Sequence, residues 1–136
     1  VNENIRVTAT VYNQCMNAWS KSGAENAALR VHDILKRMHS RHDKDPLEAP
    51  EPDTVSYNTL LHTWSISDDE QATEKADELI HLMEEKQRMN PKGAVIPNTW
   101  SYNLVMLTYA NRIGEYGTAK AAEDWLLRLS ELCVEN

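Results

Sequence analysis

Asp53-Thr54-Val55-Ser56-Tyr57-Asn58 decides how this chain is read. Its closing pair, Tyr57-Asn58, stands 45 residues after Tyr12-Asn13 and 45 before Tyr102-Asn103. Thr8 and Asn98 occupy the places equivalent to Asp53, and Trp19, Trp64 and Tyr109 each follow a Tyr by seven residues. Ser22 and Glu25 are matched by Ser67 and Glu70 at the same step. A fixed period in this range is the mark of stacked repeats, each too small to bury its own apolar faces.

Working outward, each Tyr opens a stripe at helical spacing. The first helix is expected at about residues 9–21, with Thr8 as N-cap and Tyr12, Cys15, Met16 and Trp19 on its buried face. Ser22-Gly23-Ala24-Glu25 reads as a capping box for a second helix that buries Ala27, Val31, Ile34, Leu35 and Met38. Pro46, Pro50 and Pro52 end it. The second repeat copies this: Asp53 caps a helix burying Tyr57, Leu60, Leu61 and Trp64. Ser67-Asp68-Asp69-Glu70 is a second capping box, before Ala72, Ala76, Leu79, Ile80 and Met83. In the third, Asn98 precedes Tyr102, Val105, Met106 and Tyr109, Gly114 marks the turn, and Ala122, Trp125, Leu126 and Leu129 are displaced by one residue. That displacement predicts a slightly longer turn. The sum is an all-α domain over 1–136, with six helices in three hairpins at about 8–52, 53–97 and 98–136. The start at Val1 and the incomplete third repeat predict an excerpt of a longer protein.

Composition narrows the function. The chain has 136 residues, a formal net charge of −7 and two cysteines. That charge excludes a strongly basic module, though it does not describe one groove. Two cysteines make no disulfide framework, and no apolar run approaches membrane length.

At this point the chain resembles the pentatricopeptide repeat family. The resemblance lies in Thr54-Val55-Ser56-Tyr57-Asn58, the aromatic seven residues past the Tyr, the Ala-rich helix ending at Met83, and Pro97-Asn98. Thr10-Val11-Tyr12-Asn13, Met38 and Pro52-Asp53 repeat the pattern. The family repeat is about 35 residues long. The surplus here lies in 39–52 and 83–97, which predicts longer second helices and exit loops. The resemblance implies a right-handed α-solenoid of stacked helix-turn-helix hairpins. It also implies single-stranded RNA binding at about one base per repeat, read by two or three side chains. Carried over, Asn13 pairs with Asp53, and Asn58 with Asn98, to read bases, while Asn103 lacks a partner. The family's code links Asn with Asp to uracil, and Asn with Asn to a pyrimidine, often cytosine. Thr10, Val55 and Trp100 would sandwich the bases, and Lys21 would meet phosphate, a place held by Ile66 and Asn111 in the other repeats. The implied setting is RNA processing, stability or translation in a mitochondrion or chloroplast.

Other readings stand beside this one. Capping alone accounts for Thr8, Asp53 and Asn98. The recurrent Asn residues could be inherited by duplication. The Tyr and Trp stripe is packing, and Cys15 reads as an inert core thiol. His39 and His42 beside Asp43 lack a third ligand at diagnostic spacing, so no metal or cofactor is expected. His62 falls on the face of Asn58, while His32 and His81 look solvated. No catalytic constellation can be built, so no enzyme is expected. Acidic Glu70, Glu74, Asp77, Glu78, Glu84, Glu85, Glu115, Glu123 and Asp124 would cover the solvent face of the second helices. The acidic balance supports an alternative partner, a protein bound on a tetratricopeptide-like scaffold, although that class's own signature is missing.

Overall fold

The computed structural model describes residues 5–112 and 116–134. It contains α1 (Ala9–Lys21), α2 (Ala27–Lys44), α3 (Thr54–Ser65), α4 (Ala72–Met89), α5 (Thr99–Ala110) and α6 (Tyr116–Val134). Among the described residues there is no strand. Helices α1 and α2, α3 and α4, and α5 and α6 pack as pairs. Helix α3 packs between α1 and α5, while α2 leans on α3 and α4 on α5. The central hairpin is therefore the most enclosed, and Tyr57, Leu60, Leu61, Ile80 and Met83 have essentially no exposed surface. The extra residues of the long period enlarge the second helices as expected: α2 and α4 each run 18 residues, against 13 and 12 for α1 and α3.

The first helix of every hairpin starts at a side-chain cap. Thr8 Oγ1 accepts from Val11 N at 3.4 Å, and Asp53 Oδ1 and Asn98 Oδ1 accept from Ser56 N and Ser101 N at 2.9 and 3.0 Å. In return Ser56 Oγ and Ser101 Oγ accept the cap residues' own N–H groups, so both ends of a capping box form.

The boxes expected at Ser22 and Ser67 do not form. Helices α2 and α4 begin after Asn26 and Gln71, with no side-chain cap. Ser22 instead closes the end of α1, its hydroxyl donating to Trp19 O at 2.7 Å, and Gly23 turns the chain at φ 73°. A left-handed residue directly after the Ser ends a helix and cannot start one. Ser67 likewise serves a turn, accepting from Asp69 N.

Three burial expectations also change. Cys15 is exposed, because the outer face of α1 is covered by no other hairpin. Leu126 is exposed on α6 for the matching reason at the other end. Asp77 and Glu84 do not merely face solvent. Asp77 accepts from Trp125 Nε1 at 3.0 Å and from Tyr109 Oη, and Glu84 pairs with Arg128, which lies 4.7 Å from the Trp125 ring centre. These contacts fasten the third hairpin to α4. Gly114 and the longer third turn lie outside the described residues.

Two histidines of α2, His39 and His42, make structural contacts. His42 Nδ1 donates to Ala49 O at 2.9 Å and holds the exit loop. His39 Nε2 lies 2.6 Å from Tyr57 Oη. Burial, with Lys86 nearby, lowers the His39 pKa from its ordinary value of 6.5, and burial raises that of Tyr57, so both are neutral at pH 7. The neutral ring and the neutral phenol share one hydrogen bond.

Because the folded state disfavours His39 protonation, the unfolded chain takes up the proton first as pH falls below 6.5. The thermal midpoint is therefore expected to fall between pH 7 and pH 5, and His39→Gln should flatten that slope; an unchanged slope in the variant would show that the burial of His39 does not set it. In urea, Leu61→Ala is expected to cost about 2–5 kcal/mol. Leu126→Ala, at an exposed site, should stay within about 0.5 kcal/mol.

Candidate functional site

Capping leaves groups to spare, and the preceding repeat uses them. Asn13 Nδ2 donates to Asp53 Oδ1 at 3.2 Å, while Ser56 Oγ donates to Asn13 Oδ1 at 2.7 Å. One repeat later, Asn58 Nδ2 donates to Asn98 Oδ1 at 3.4 Å and Ser101 Oγ donates to Asn58 Oδ1 at 2.7 Å. Each Asn is thus clasped between the N-cap and the third residue of the next first helix. The two residue pairs that the family resemblance joins, Asn13 with Asp53 and Asn58 with Asn98, are in direct hydrogen bonds.

The orientation of the amides follows from chemistry. Asp53 offers only acceptors, and Asn98 Oδ1 is fixed as oxygen by the backbone N–H it caps. Turning either clasped amide over would set oxygen against oxygen. On the cap residues two atoms stay outside the clasps: Asp53 Oδ2 at the first junction and Asn98 Nδ2 at the second. The first is an acceptor and the second a donor.

The clasps are less open than a base-reading row of carboxamides suggests. Asn58 is only 8% exposed and Asn13 is half-buried, while Asn103, which no described hairpin follows, is exposed. Part of the signal behind the recurrent Asn residues is therefore structural. The junctions are held elsewhere too. Ser20 Oγ lies 3.2 Å from His62 Nδ1, and Asn111 Nδ2 donates to Ser65 O at 2.6 Å.

Beside the second clasp runs a groove of about 420 Å³ lined by Asn17, Val55, Asn58, Thr59, His62 and Trp100. It brings Val55 and Trp100, the sandwich candidates of successive repeats, together with Asn58. Trp100 is 55% exposed and Val55 is also exposed, so both present apolar surface to solvent. Thr10 is exposed at the matching place on α1, and Lys21 is the exposed last residue of that helix. Ile66 is exposed where a second phosphate contact would stand. Sequence reasoning did not single out Ser56 and Ser101. The available signal was their shared place three residues after a cap, where the first repeat has Val11.

Among the described residues no group of three or more His, Cys, Asp or Glu side chains is placed to hold a metal, and no helix is long and apolar enough to cross a membrane. Asn58→Ala should cost about 1–3 kcal/mol in urea, because it strips a partner from the buried Ser101 hydroxyl. Asn103→Ala should change stability by less than about 0.5 kcal/mol; equal effects at the two sites would mean the clasp carries no load. Comparison with family models, curated proteins and solved structures gives no match to this chain.

Proposed function

We propose that this chain is a single-stranded RNA-binding module of the pentatricopeptide repeat kind, a right-handed α-solenoid reading about one base per repeat. The observation that carries the reading is the groove in which Val55, Asn58 and Trp100 meet. A flat base fits between an aliphatic and an aromatic wall, with a polar floor to read its edge. The succession of contacts, α1 on α3 and α3 on α5, supports the solenoid.

The unused groups give the two junctions opposite hydrogen-bonding character. Asp53 Oδ2 suits the N3–H of uracil. Asn98 Nδ2 suits the N3 lone pair of cytosine. Adenine and guanine are larger and present different edges, so a pyrimidine preference is expected. Phosphate contact is thin: Lys21 is the candidate that the family resemblance gives. The proposed setting is RNA processing, stability or translation, in an organelle by resemblance alone.

A protein partner is the second reading. The net charge of −7 and the exposed Ile66 favour it, since both weaken attraction for a phosphate backbone.

Fluorescence anisotropy with labelled ten-nucleotide strands separates the two. Uridine/cytidine strands should bind and oligoadenosine should bind more weakly, with a salt slope of about −0.7 to −1.4, one or two phosphate contacts. Trp100→Ala should cost about 1–3 kcal/mol of binding, the range for one base–aromatic stack. No binding, or equal binding to every strand, overturns the RNA reading and leaves the scaffold reading.

A further inference from the structure

We infer that Ser56 and Ser101 are positioning residues for base recognition: each hydroxyl holds the preceding repeat's Asn in one orientation, so that the donor and acceptor it offers a base stand in fixed places. The inference rests on the RNA-reading proposal and adds to it a residue that touches no base.

Both serines are fully buried, and each donates to an Asn oxygen at the same 2.7 Å. A side-chain amide carries a donor and an acceptor of nearly equal size, so an Asn free to rotate offers either end and discriminates poorly. The Ser hydroxyl, which also touches the cap oxygen, meets one lone pair of the Asn oxygen, and the cap oxygen of Asp53 or Asn98 takes one amide hydrogen. What remains on the Asn is one amide hydrogen and one oxygen lone pair, held in fixed places.

Capping does not by itself explain the serines. Helix α1 is capped by Thr8 with Val11 at the equivalent third position, so a capped first helix forms without a hydroxyl there. The two serines stand where a preceding Asn must be held. Because they lie in different junctions, each is tied to one base: Ser56 to that of Asn13 and Asp53, Ser101 to that of Asn58 and Asn98.

That one-to-one assignment is the test. The 136-residue chain and its Ser56→Ala and Ser101→Ala variants are titrated with fluorescein-labelled oligoadenosine strands carrying a central UU, UC, CU or CC. Each variant is expected to lose about fivefold of the preference at one nucleotide, a different one for each serine, with the neighbouring preference intact. Ser101→Thr, which keeps the hydroxyl, should retain most of the preference. A purely structural role would weaken all strands alike, and that result overturns the inference. A second readout needs no RNA. In ¹H–¹⁵N spectra the Asn58 side-chain amide should show restricted motion that Ser101→Ala releases; an unchanged signal overturns the inference even if the alanine variants bind RNA poorly. Wild-type protein with no base preference, but with a released Asn58 amide in the variant, would sink the RNA reading and with it the recognition role, leaving only a structural clasp.

Discussion

The structure depends on one constraint of helix chemistry. The first turn of a helix leaves N–H groups without partners, and in α1, α3 and α5 a short polar side chain satisfies them. In this chain the cap oxygen and the serine three residues later do that and then reach one step further, onto the Asn of the previous hairpin. A local requirement of one helix thereby becomes the joint between two repeats. Its polar atoms are mutually satisfied where Ser56 and Ser101 are buried, so a slip in register would leave buried donors and acceptors without partners.

The apolar surface around each joint supplies attraction but little direction. Leu61, Tyr57, Ile80 and Met83 pack with essentially no exposure, yet packing of this kind tolerates exchange among side chains of similar volume. Directional hydrogen bonds fix which residue meets which. The third hairpin adds a fastening of its own, with Asp77 holding Tyr109 and Trp125 together. Charge therefore works inside the stack as well as on its surface.

How far the sequence was legible follows from the range of each interaction. The first helices and their caps at Thr8, Asp53 and Asn98 were readable because capping and a 3.6-residue stripe are local. The second helices were readable as bodies, but their starts were not: Ser22 and Ser67 satisfy a capping pattern on paper, while turns, one of them at left-handed Gly23, claim them. Cys15 and Leu126 lie on proper stripes, and no periodicity says whether a neighbour covers a stripe. Of the candidate site, the recurrence of Asn13, Asn58 and Asn103 was legible in the repeat, while the Asn13–Asp53 and Asn58–Asn98 pairings came from the family resemblance. The burial of Asn58 and the serine clasp were not, because they arise only when residues 40 and 43 positions apart meet.

The unequal helix lengths have a consequence for how such a chain can change. Helices α2 and α4 exceed α1 and α3 by five or six residues, about 8–9 Å of extra reach at 1.5 Å per residue. The ends of α2 and α4 lie beside the joints, where His39 meets Tyr57 and Arg88 shares a groove with Asn98, and the exit loops beyond return the chain to the next cap. Thr54 fastens the second of these loops through Ala94 and Ile96. Growth or loss of a whole turn there would shift the groups that rest on the next repeat's capped end. The length of the arm and the geometry of the hinge are thus coupled, and a repeat can stretch only if its exit loop changes with it.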